Sequence, residues 1–284
     1  MSPLSLPANA PLSEFDWPGH SGPLRLRLYR CQAQKPAPAL LVFFAPGGFV
    51  APDLDEANGC LRVLADGCRV NILAPYYAES PERAFPAPVE DAHVVLSMAA
   101  AHRQVLGGKG GRLFVAGCEA GGNLAAVSAL VCRDRLGPEL AGQILVTPML
   151  DASLGCGSMR CAANDPQQSE LAQAAAAAYR RYLPHPADRL HPYASPLNAR
   201  RLSDLPPALI FHTPGDPLAD EAKAYVTQLR EAGNVAHEVA LPPPDELRDS
   251  SDRCELTADD PCLLAMRDFI ANPIQPTGAH STLS

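Results

Sequence analysis

LFVAGCEAGGNLA, Leu113 to Ala125, is the stretch whose reading decides the fold. An apolar run of strand character, LFVA, meets the turn GCEAGG, and an amphipathic helix opens directly after it. Gly117 and Gly121 flank one central residue, as a sharp strand-to-helix turn requires, because side chains there collide with neighbouring backbone. Such a turn lifts its central residue, here Glu119, above a sheet at a helix N-terminus, where N–H groups and the helix dipole favour an anion. A plain glycine-rich βα turn carrying Glu119 as a first-turn acid has the same local pattern, so the surroundings must discriminate.

Working outward, Leu24 to Tyr29 alternates apolar and basic residues like an edge strand, while Ala39 to Phe44 (ALLVFF) reads as a strand buried on both faces. Then follow helix 54–66, strand 69–74, helix 88–105, strand 111–116, helix 121–133 and strand 143–147. That alternation predicts an α/β fold with a mostly parallel sheet covered by helices on both faces. From about residue 150 to 190 the alternation stops, and a lone alanine-rich helix over 169–182 reads as a small helical lid inserted above the sheet. It resumes with strand 208–213, helix 219–232, strand 236–241 and a last helix near 259–272, for about seven or eight strands in all. One domain over 23–272 is expected, with a flexible N-terminal segment over 1–22 and a flexible tail over 273–284.

The bulk properties remove several function classes. A formal charge of −8 without a Lys/Arg cluster leaves no footprint for nucleic acid. No uncharged stretch approaches the roughly 20 residues of a membrane span, and no leader pattern opens the chain, so a cytoplasmic location is expected. Nine cysteines, an odd set with no CxxC pair, argue against a disulfide framework and a structural zinc site. No metal and no other cofactor is expected.

Further motifs give the turn its context. APGGF, Ala45 to Phe49, follows ALLVFF as a glycine loop able to supply backbone donors near Glu119. YAESPE (77–82), SPL followed by LPP (195–207) and DPLADE (216–221) come after it in order. Together these resemble the hormone-sensitive-lipase-like (family IV) esterases of the α/β-hydrolase fold, whose corresponding motifs are HGGGF, GDSAGG, YRLAPE, SPL with LPP, and DPLxDE. The resemblance runs from about Pro23 to Asn272. It implies the α/β-hydrolase fold and carboxylic-ester chemistry, in which an elbow serine attacks, a histidine takes its proton and the DPL aspartate orients the histidine.

Carried over position by position, the nucleophile slot falls on Glu119 and the triad acid on Asp216. The histidine slot falls on Glu246 or Asp245, in LPPPDELRD, and no histidine lies between His237 and His280. The oxyanion-hole donors map to the N–H groups of Gly47, Gly48 and Ala120. Acids in two of three triad slots lead to the expectation of a catalytically impaired pseudo-hydrolase that binds a small ester-like ligand or a partner. An active ester hydrolase using Glu119 and Asp216 is the alternative, and docking or homodimer formation through the sheet is a third. His212, near Asp216, reads as a hydrogen-bonded core residue or a non-standard base, and Cys118 as a structural thiol.

Overall fold

In the computed structural model, which describes residues 10–20, 22–33, 39–49, 52–77, 83–107, 111–242 and 260–274, eight strands join in one sheet. Strands β1 (Leu12–Pro18) and β2 (Pro23–Tyr29) form an antiparallel hairpin, and β2 also runs antiparallel to β4 (Asn71–Pro75). Strands β3 (Ala39–Phe44), β5 (Arg112–Cys118), β6 (Gly142–Val146), β7 (Ala208–His212) and β8 (Ala236–Ala240) complete a parallel body. The order across the sheet is β1-β2-β4-β3-β5-β6-β7-β8.

Alternate residues of each central strand serve opposite faces, which explains the unbroken apolar runs in the sequence. Leu40, Val42, Val115 and Ile210 join the core formed with helices α2 (Ala87–Ala101), α3 (Ala120–Asp134) and α6 (Ala219–Glu231). Leu41, Phe114, Ile144 and Phe211 pack instead with α1 (Asn58–Cys68) and α7 (Pro261–Ala271). Between β6 and β7 the chain makes no strand and carries α4 (Gly157–Cys161) and α5 (Pro166–Tyr182). Helix α5 starts at Asp165, whose side chain accepts the Gln168 N–H, followed by Pro166 at the first helical position.

The sheet begins earlier than the sequence pattern implied. Residues 12–18, expected within a flexible N-terminal segment, are β1, and Phe15 and Trp17 lie half-buried against the core. The misreading arises because Glu14 and Asp16 alternate with them in a strand bounded by prolines. Glu14 is tied down by Arg27 of β2, whose guanidinium also bonds Asp55 and the Leu54 carbonyl oxygen. Among the described residues no helix is long and apolar enough to cross a membrane.

Candidate active site

The turn after β5 has the strained form its glycines implied. Glu119 sits at φ 52°, ψ −113°, a backbone conformation that costs a residue with a side chain on the order of 1–3 kcal/mol. Three backbone bonds hold it there. The Glu119 N–H donates to Val146 O at 3.0 Å, and its carbonyl oxygen accepts from Asn123 N at 3.0 Å and Met149 N at 3.1 Å. Any Cβ on Gly117 would overlap the Gly121 carbonyl, and one on Gly121 would overlap the Phe44 carbonyl. The first turn of α3 therefore lies directly on the end of β3, and only glycine permits the approach.

That contact brings the glycine loop beside the elbow. Phe44 pairs with Gly117 across β3 and β5, so Ala45 to Gly48 leaves the sheet next to Cys118, Glu119 and Ala120. Gly47 and Gly48 take φ 143° and 59°, left-handed values that favour glycine, while Phe49 holds φ 62° despite its side chain. Tyr77 fixes the start of the loop, its hydroxyl donating to Ala45 O at 3.0 Å. Burial pushes the Tyr77 phenol pKa upward, and the nearby Glu119 and Cys118 add to the effect. Phe49 is fully buried, stacked on Tyr182 of α5 with centroids 3.9 Å apart and an interplanar angle of 5°. Helix α5 thus packs against the glycine loop, and a Cβ at Gly48 would lie 3.2 Å from that of Ala178.

Asp216 lies in the turn between β7 and α6, at the same carboxyl edge of the sheet as Glu119, where open α/β sheets place their ligands. Its N–H donates to Thr213 O, and its Oδ1 accepts from Leu218 N at 2.8 Å. Glu246 and Asp245 lie outside the described residues. His212 is buried and bonded through Nε2 to Glu238 Oε1 on β8 at 2.9 Å, which fits a cross-strand core pair rather than a base. Cys118 is half-buried with its sulfur 3.9 Å from Thr147 Oγ1. No group of three His, Cys, Asp or Glu side chains able to hold a metal occurs among the described residues.

Two residues that the sequence reading passed over bind the site together. Asn123, fully buried in the first turn of α3, donates through Nδ2 to Met149 O and Ala194 O, both at 2.8 Å. Glu221, fully buried in the first turn of α6, accepts Leu150 N at 2.6 Å and Asp151 N at 3.0 Å on one oxygen. The signal for each was a polar residue on an otherwise apolar helix face, beside Leu124 in α3 and beside Ala222 and Tyr225 in α6.

A parallel sheet whose central strand ends in a strained elbow, with a glycine loop on one side and an acid turn two strands away, defines an α/β-hydrolase. Comparison with known proteins agrees: a family described as alpha/beta hydrolase fold matches residues 41–242. The chain belongs to that family, within its hormone-sensitive-lipase-like branch. It is 36% identical over 76% of its length to the esterase LipI of Mycobacterium tuberculosis, spanning 68% of that protein. To the ethyl acetate hydrolase of Pseudomonas putida it is 33% identical over 79% of its length, spanning 70% of the relative. Among solved structures, a thermostable carboxylesterase from a metagenomic library superposes with a TM-score of 0.83 at 28% identity, covering 96% of this chain and 92% of that one. The esterase of Pyrobaculum calidifontis gives 0.76 at 35% identity, covering 83% and 77%.

Proposed function

We propose that this chain is a pseudo-hydrolase, an esterase-fold protein that binds a small ester-like or carboxylate ligand without turning it over. The observation that carries the reading is Glu119 at the tip of an elbow still held in its strained conformation. Strain of that kind persists only where surrounding bonds enforce it, and it marks a site kept in working geometry. A glutamate cannot perform the serine's acyl chemistry, and removing even one triad member costs several orders of magnitude in rate. In this reading the N–H groups of Gly47, Gly48 and Ala120 form an anion-binding nest at the N-terminus of α3, for which the Glu119 carboxylate competes with the ligand. By the family resemblance the triad-acid slot falls on Asp216 and the histidine slot on Glu246 or Asp245.

An active hydrolase with rearranged chemistry is the second reading, favoured by the esterase relatives and by Asp216 in place beyond β7. Hydrolysis of short-chain p-nitrophenyl esters by wild type, Glu119→Ser and Glu119→Ala, with intact mass to detect an adduct, separates the two. Three equal blanks, with hexanoate raising the melting temperature of Glu119→Ala more than that of wild type, are expected. Wild-type turnover abolished by Glu119→Ala would establish the second reading instead.

A further inference from the structure

We propose that Glu221 is a protonation-controlled latch that, while neutral, clamps the β6–β7 insertion onto the acid-bearing turn and, once ionised, releases it. Two consecutive acids at the start of α6 take backbone N–H groups from the insertion. Asp220 Oδ2 accepts from Ser158 N at 2.7 Å, and Glu221 Oε2 accepts from Leu150 and Asp151. Ser158 closes the clamp through its hydroxyl, which donates to Pro217 O at 2.7 Å beside Asp216. The insertion is thereby fastened to the segment 217–221, directly after the triad-acid slot.

Glu221 differs from Asp220 in its surroundings. Its side chain is fully buried, and its Oε1 has no hydrogen-bond partner among the described residues. The groups facing it are acids or a phenol: Asp151 from the insertion, Asp216 from the turn before α6, and Tyr179 from α5. Burial raises the Glu221 pKa to about 8, the two N–H bonds oppose the rise, and Asp151 and Asp216 reinforce it. None of these groups is a cation, so a charge on this carboxyl has only the two backbone N–H donors to set against burial and the two neighbouring acids.

The sign of the coupling follows from linkage. In the opened state Glu221 is solvated and titrates near the ordinary value of about 4.3, whereas in the closed state it holds its proton to about 8. Closure is most stable below the lower value, weakens as pH rises between the two, and levels off above the higher one. Within that window the open fraction increases about tenfold per pH unit. Because α5 rests on Gly48 and Phe49, opening uncovers the glycine loop beside Glu119. The latch serves a binding protein and an enzyme alike, so it stands independently of the function proposed above.

Amide hydrogen exchange by mass spectrometry, on the full chain between pH 5.5 and 9 and corrected for intrinsic rates, tests this. Peptides from 150–182 of the wild type are expected to lose protection steeply up to pH 8 and then plateau, while Glu221→Gln shows a flat profile. A merely structural role would shift the level of protection in Glu221→Gln and leave its pH slope equal to that of wild type, which overturns the proposal. If Glu221→Gln does not fold, the wild type alone decides, since a corrected exchange rate in α5 that does not vary with pH overturns it as well.

Discussion

Replacing Asn123 by alanine tests whether one side chain holds the elbow. The Nδ2 group of Asn123 saturates two carbonyls, Met149 O and Ala194 O, in a part of α3 with no solvent exposure. Its removal leaves both oxygens buried and unpaired, at about 1–3 kcal/mol each, so Asn123→Ala should cost about 2–6 kcal/mol. For a chain of this size that lowers the melting temperature on the order of 10 °C. Ser128 supplies the control within the same helix. It is equally inaccessible, but its hydroxyl has no partner among the described residues. Ser128→Ala therefore removes an unpaid desolvation and improves helix propensity by roughly 0.5 kcal/mol, so its stability should stay level or rise. Urea unfolding followed by circular dichroism measures both variants on one scale. If Asn123→Ala costs no more than Ser128→Ala, the carbonyls have other partners, and this side chain does not hold the elbow.

Three further outcomes follow from the same geometry. Gly121→Ala should abolish soluble expression or destabilise by more than about 3 kcal/mol, because its Cβ meets the Phe44 carbonyl, whereas Gly59→Ala, in α1 with open space around it, should stabilise by up to about 1 kcal/mol; melting temperatures compare the two. Phe49→Ala, which empties the stack against Tyr182, should cost about 3–5 kcal/mol and weaken the near-ultraviolet circular dichroism, and an unchanged aromatic signal would show that the stack is absent in solution. Iodoacetamide at pH 7.5 should label the exposed Cys161 and spare Cys68 and Cys132, whose thiols burial pushes up to about 12; peptide mass mapping reads the result, and early labelling of Cys68 would contradict its burial.

The sheet and the elbow were legible in the sequence because both leave strong local marks. Strands buried on two faces read as unbroken apolar runs, and a turn that forces backbone onto backbone must carry glycine, as at Gly117 and Gly121. Strand β1 was not legible, since its two half-buried aromatics alternate with acids, of which Glu14 finds its partner, Arg27, only through the hairpin register. Asn123 and Glu221 escaped for a related reason. Each is a single polar residue on an apolar helix face, and its partners, Met149, Ala194, Leu150 and Asp151, are brought to it by chain crossings rather than by sequence proximity. The elbow motif located a candidate site without revealing what stabilises it.

That stabilising framework bears on what became of the site. The carbonyl of Glu119 is held by Asn123 and Met149, the carbonyl of Met149 by Asn123, and the two residues after Met149 by Glu221. None of these bonds is made by the side chain at position 119, so this set of bonds is open to a serine or a glutamate at its tip. A nucleophile can therefore be exchanged for an acid while the strained turn keeps its shape. In the binding reading proposed above, the chemistry of the elbow rests on the single side chain it presents.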